Sequence, residues 1–189
     1  MIRRQAANPL LLGVMAVLAD GPNHPYAVAS ALRRRGLAGS VRVNAGALYH
    51  CFRTLVESGW VESVGVSRVG GRPARESYAL TALGGTALRD QLRALLASVD
   101  SEARFQAGLA FIGLLSPEEA VEVLRERVWT LQRSLRAARD GYRGLLARGL
   151  PRGAVLDLEH PLMRGENELV WLRQLIQEIA SGEVAPASR

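Results

Sequence analysis

The 189-residue chain contains no lysine; its 24 cations are all arginine. Every positive charge is therefore a planar guanidinium suited to bidentate contacts. A single cysteine, Cys51, excludes an intramolecular disulfide and a multi-cysteine zinc site, and it fits a reducing cytoplasm. The three histidines, His24, His50 and His160, are scattered without metal-ligand spacing. Neither a metal nor another cofactor is expected. The longest apolar runs, Pro9 to Leu18 and Leu109 to Leu115, fall short of the ~20 residues of a membrane span. The basic start, Met1-Ile2-Arg3-Arg4-Gln5, is followed at once by helix signals rather than a small-residue cleavage site, and is expected to be structure. Phosphate-loop, nucleophile-elbow and zincin motifs are missing, and Gly70-Gly71 and Gly84-Gly85 are isolated pairs. An enzyme is not expected.

What is present is uneven. The net charge is +6. Residues 1–98 hold twelve arginines against five acids, while residues 99–189 hold twelve against thirteen. A basic half joined to a near-neutral half suggests a polyanion-binding module with a second role attached.

In the basic half, Asn8-Pro9 is a cap followed by proline in the first turn, and Leu10 to Leu18 is apolar on nearly every side. A second helix is expected from Pro25 to about Arg35, ended by Gly36. Val41-Arg42-Val43 is a candidate short strand. Asn44 then caps a third helix from Ala45 to Ser58. The period changes next. Trp60 to Val66 and Glu76 to Leu80 flank a Gly- and Pro-containing turn and are expected to pair as a hairpin. Thr81 caps a fourth helix reaching about Val99, with Leu88, Leu92 and Leu95 on one stripe.

The second half is expected to be all helix. Glu102 to Leu115 forms one segment, and Ser116-Pro117-Glu118-Glu119 opens a long helix. From there Val121, Leu124, Val128, Leu131 and Leu135 begin a heptad seam that runs on through Tyr142 and Leu145. A loop is expected from Gly149 to Leu158. A last helix, from about Pro161 to Ala180, carries Leu169, Leu172, Ile176 and Ile179. An isolated seam of this length leaves an apolar stripe uncovered, which argues for a second copy of the chain. The dimerisation residues expected are Leu88, Leu92, Leu95, Val121, Leu124, Val128, Leu131, Leu135, Leu172 and Ile176.

The order α-α-α-β-β-α with a basic excess describes a winged helix, whose third helix enters the DNA major groove. Leu48, Phe52 and Leu55 give that helix a buried side, and Gly46, Tyr49, His50 and Arg53 occupy the other. Arg68, Arg72 and Arg75 cluster at the hairpin tip, where packing has no use for them and a polyanion does. The DNA-binding set expected is thus Tyr26, Arg42, Asn44, Gly46, Ala47, Tyr49, His50, Arg53, Arg68, Arg72 and Arg75. The fold class is mainly α: a winged-helix domain over 1–99, then a helical, coiled-coil-like dimerisation domain over 100–189.

These residues also carry a family resemblance. Leu11 to Ala19 with Gly21-Pro22 and Tyr26 resembles the opening of PadR-family transcription regulators. Gly46-Ala47-Leu48-Tyr49 with Leu55, Glu57 and Gly59 resembles their third helix, and Gly71-Arg72-Pro73-Ala74-Arg75 with Tyr78, Leu80 and Thr81 resembles their wing. Leu114 to Glu119 and Trp171-Leu172 look like the helical C-terminal domain of the longer subgroup. Pro25 and His50 depart from the common pattern. The resemblance implies a cytoplasmic, homodimeric repressor on an inverted repeat, often released by a small aromatic ligand. The contrasting reading is a scaffold that uses the helical half to hold a protein partner.

Two smaller expectations concern single side chains. Cys51 is expected to be a buried, inert thiol rather than a redox switch. Trp129 and Trp171 fall off their seams; packing of a second helix face between domains or subunits is preferred, with an aromatic ligand pocket as the alternative.

Overall fold

The computed structural model describes residues 8–34, 44–67 and 75–184, the side chains of Val66, Ser67 and Arg75 excepted. The expected strand at Val41-Arg42-Val43 lies outside the described residues. Two compact units divide the chain at Leu114/Leu115.

The first unit is built around α1 (Pro9–Ala19). Asn8 accepts a hydrogen bond from the Leu10 N–H, and every residue from Leu10 to Leu18 is buried. Burial on all sides follows from the all-round apolar sequence. α2 (Pro25–Arg34), α3 (Ala45–Glu57) and α4 (Ala82–Ala97) pack on it, as does β2 (Arg75–Leu80). β1 (Val61–Ser67) runs antiparallel to β2, with Val61 opposite Leu80 and Ser67 opposite Arg75. The register slips between Ser63 and Gly65, where Gly65 takes φ 131°. This bulge uses a backbone conformation that glycine alone adopts at little cost. Tyr78 and Asn23 exchange backbone hydrogen bonds of 2.9 Å, so the loop after α1 adds a third short edge to the hairpin.

Thr81 caps α4 through the Gly84 N–H and also donates its hydroxyl hydrogen to the Gly59 carbonyl. α5 (Glu102–Leu109) packs on α4 and α1 and so belongs with the first unit. The first unit therefore runs past residues 99/100, where the sequence divides the two expected domains. Nor does that helix reach Leu115. After Leu109 the chain tightens into a 3-10 turn over Ile112–Leu114, with Phe111 N–H bonded to Gly108 and Leu114 N–H to Phe111. The tightening turns Phe111 into the core.

The second unit is a pair of long helices, α6 (Pro117–Ala147) and α7 (Leu156–Ser181), packed on each other. Ser116 and Glu119 form the expected capping box. α7 starts at Leu156, five residues before Pro161, and the expected loop contains a 3-10 turn at Arg152–Val155. Pro161 sits in the second turn of α7, where the missing N–H costs only the bond to the exposed Asp157 carbonyl.

Four side-chain links join the two helices. Arg127 bonds Glu168, Arg139 bonds Glu166, Tyr142 bonds Glu159, and Gly165 lies against Leu135, where a Cβ would stand 2.6 Å from Cδ2. The seam side chains Val121, Leu124, Leu131 and Leu135 are buried, as is Leu172 on α7; Val128 and Ile176 are half-buried. Leu88, Leu92 and Leu95 are buried on α4, which packs on α1 and α5. Eight of the ten expected dimerisation residues are thus buried within the chain.

Candidate nucleic-acid interface

The outward face of α3 is set from its first residue. Asn44 accepts the Ala47 N–H at 2.7 Å, which fixes where the helix begins. Leu48, Cys51, Phe52 and Leu55 then point inward. Phe52 meets Tyr78 of β2 with ring centroids 4.9 Å apart, tying the helix to the hairpin. With that side committed, Gly46, Tyr49, His50 and Arg53 are left in solvent, and Tyr49 is 67% exposed. Ala47 is half-buried and lines a small cavity of about 290 Å³ between α3 and the start of α1.

Arg53 is held loosely. Its guanidinium lies 2.9 Å from His50 Nδ1, and its Nε lies 3.9 Å from Glu57. Arginine can only donate, so Nδ1 accepts and the imidazole proton sits on Nε2. Both partners are exposed, so moving Arg53 onto an anion costs little. Gly46 faces open space; the nearest atom to a Cβ there would be Asn44 Oδ1 at 3.6 Å. The first turn of α3 can thus come close to a phosphate, with backbone N–H groups at the positive end of the helix.

Tyr26 projects from a different element, the first turn of α2, and is 71% exposed. Arg33 and Arg34 turn back onto their own helix, to the Ala29 carbonyl and the Ser30 hydroxyl. Arg42, Arg68 and Arg72 lie outside the described residues. The backbone of Arg75 opens β2, and its side chain lies outside them too. Of the expected DNA set, the structure brings together Asn44, Gly46, Ala47, Tyr49, His50 and Arg53 on α3.

Two acids near this face are absent from the expected set. Glu57 sits one turn beyond Arg53. Glu76 accepts hydrogen bonds from Ser63 and Tyr78, which hold its carboxyl below the usual range. The Ser63–Tyr78 pairing across the hairpin explains the second, because Glu76 lies two residues from Tyr78 on the same strand face.

Cys51 is 4% exposed, and burial pushes its thiol up to about 12. Trp129 is 58% exposed with the Arg133 guanidinium 4.6 Å over its ring, and Trp171 is 44% exposed. Both tryptophans are exposed on this chain, and neither lines the cavity between α6 and α7. Among the described residues no group of His, Cys, Asp and Glu is placed to hold a metal ion, and no helix is long and apolar enough to cross a membrane.

Three helices, a hairpin tied to the third of them, and a capped fourth helix make a winged helix, the architecture of a large class of DNA-binding domains. Residues 14–90 match the transcriptional regulator PadR-like family, and the chain carries a domain of that family. No curated protein matches it. Among solved structures it is similar to Bacillus subtilis PadR in complex with operator DNA, at 22% identity over 91% of this chain and 99% of that one, with TM-score 0.42. The same protein in complex with p-coumaric acid gives 22% identity, coverage of 92% and 99%, and TM-score 0.39. A protein of Streptococcus mutans gives 17%, 88% and 98%, and 0.40.

Proposed function

We propose that this protein is a DNA-binding transcriptional regulator that works as a homodimeric repressor in the cytoplasm. The observation that carries the reading is the two-sided α3, apolar against the core and set with Gly46, Tyr49, His50 and Arg53 outside, within a PadR-like domain. In this reading α3 enters the major groove, Asn44 and Ala47 seat its first turn on a phosphate, and Arg53 takes a guanine or a phosphate. Arg68, Arg72 and Arg75 hold the backbone or minor groove from the wing, and Tyr26 and Arg42 add contacts from neighbouring segments. The arginine excess of residues 1–98 supports this.

Two-fold symmetry would place two α3 helices one DNA turn, ~34 Å, apart on an inverted repeat. In this reading the second copy meets exposed apolar side chains of the second unit, Trp129, Met163, Val170 and Trp171 among them. A small effector releases the operator.

Fluorescence anisotropy tests the reading. The protein is titrated against DNA from upstream of its own gene and against scrambled DNA, at two salt concentrations. Sequence-selective, salt-dependent binding is expected. Changing Arg53 to Ala should relax preference at one base pair if it reads a base, or weaken all sequences alike and flatten the salt slope by about one if it holds a phosphate. A dimer that binds no DNA even at low salt overturns the proposal.

A further inference from the structure

An acid lines the crevice between α3 and the hairpin. α3 and β2 both run toward a shared base, where the Trp60 N–H bonds the Leu55 carbonyl and the Thr81 N–H bonds the Trp60 carbonyl. Outward from that base, α3 presents Leu55, Phe52 and Tyr49, and one face of β2 presents Leu80, Tyr78 and Glu76. Phe52 and Tyr78 meet with ring centroids 4.9 Å apart. The next step outward sets Glu76 beside the turn of α3 that carries Tyr49. We propose that Glu76 limits the affinity of this protein for DNA: its fixed carboxylate repels the phosphates that pass between α3 and the wing. The proposal rests on the DNA-binding reading above.

The carboxylate is not free to turn away from an approaching duplex. The Ser63 hydroxyl, from β1, donates to one oxygen at 2.7 Å, and the Tyr78 hydroxyl donates to the other at 2.8 Å. Tyr78 is itself held by Phe52. The two bonds, that of Ser63 first, favour the charged form and hold the carboxyl below its usual range. Glu76 is therefore an anion at neutral pH. Among the described residues no cation pairs with it, whereas Glu57 has the Arg53 Nε at 3.9 Å.

Glu76 opposes the DNA backbone in two ways. It places a negative charge in a crevice that phosphates must follow. It also engages two hydroxyl donors of the kind that bond phosphate oxygens. Neither effect depends on base sequence. Operator and non-operator DNA are weakened alike, and discrimination is left to the base contacts of α3.

The test uses the full chain and the same two duplexes, upstream and scrambled, by fluorescence anisotropy across a salt series. Glu76→Gln removes the charge and can still bond both hydroxyls, accepting from one and donating to the other. It should bind both duplexes about fivefold tighter at low salt and steepen the salt slope by up to about one. The gain should fade at high salt. Glu76→Lys should tighten both further, and circular dichroism checks that each variant is folded. Glu62→Gln is the control: Glu62 is exposed on the other face of β1, opposite Ala79, and its removal should change affinity by about twofold or less. Affinity unchanged or lowered by both Glu76 variants overturns the inference and leaves the DNA-binding reading standing. So does a gain confined to one base pair, which would make Glu76 a base reader, or an equal gain from Glu62→Gln, which would make it an effect of net charge alone. Wild-type protein that binds neither duplex at low salt overturns the DNA-binding reading, and this inference falls with it.

Discussion

Gly84 of α4 lies directly on the main chain of Trp60: a Cβ at 84 would stand 2.0 Å from the Trp60 carbonyl oxygen and 2.8 Å from its carbon. The same carbonyl accepts the Thr81 N–H at 3.0 Å. Helix α4 and the base of the hairpin are thus joined backbone to backbone, and glycine is what permits the approach. No rotamer change can move a carbonyl aside. Gly84→Ala should cost about 2 kcal/mol or more. Gly85→Ala is the control: its Cβ would meet nothing within 4 Å, and it should stabilise by roughly 0.5–1 kcal/mol. Urea unfolding of the two variants checks both signs; equal effects would refute the close approach.

Arg127 is 3% exposed, yet its guanidinium bonds Glu168 across α6 and α7 at 2.6 and 2.8 Å. Glu168→Ala keeps the buried charge and removes that acceptor, so a loss of about 3 kcal/mol is expected. Arg127→Met removes the charge and keeps much of the volume, so it should fall within ~1 kcal/mol of wild type. Thermal melts of the two single variants and the double variant decide it. If Arg127→Met proved the more damaging change, the pair would contribute to stability outright.

The Glu159 carboxyl is drawn down to about 2, first by the Arg152 hydrogen bond and then by that of Tyr142. A carboxyl whose folded value lies below its ordinary 4.5 binds its proton more weakly when folded. Its contribution is complete above pH ~4.5 and is lost as pH falls toward ~2. The gap in Tm between wild type and Glu159→Gln should therefore be constant from pH 7 to 5 and close on further acidification. A gap independent of pH down to 2 would show that the Arg152 and Tyr142 bonds are not formed in solution.

Burial holds the Cys51 thiol at about 12, so the native protein at pH 7.5 contains almost no thiolate. Alkylation by iodoacetamide should be far slower than in urea and should follow the unfolding curve. Labelling of the folded protein at the rate of a free thiol would contradict this and restore a redox role.

Much of this architecture is legible in the amino-acid sequence, and the reasons are local. Asn8, Asn44, Thr81 and Ser116 each cap the helix that follows, because a cap is a contact over two or three residues. Leu48, Phe52 and Leu55 fall on the buried side of α3 by periodicity alone. The Asn23–Tyr78 pairing is illegible, since it joins residues far apart through main-chain atoms common to every amino acid. The seam of α6 is apolar as its spacing implies, and α7 packs against α6 within the same chain. Heptad spacing says that a stripe must be covered, not whether the cover is another molecule or the next helix of the same chain. Pro161 looks like a helix start because the stretch ahead of it resembles a loop. The Arg152–Glu159 and Tyr142–Glu159 bonds that help order those residues depend on α6 being alongside.

Helix α1 has no polar side, and that shapes how the protein must be made. It leaves the ribosome ahead of its partners β2 and α4, which end at Leu80 and Ala97. At ~5–20 residues per second, about 4–16 s separate the completion of α1 from that of α4. For that interval a wholly apolar segment waits without its full cover. The same burial that makes α1 the post of the finished domain makes it, during synthesis, the part of this chain most in need of a chaperone.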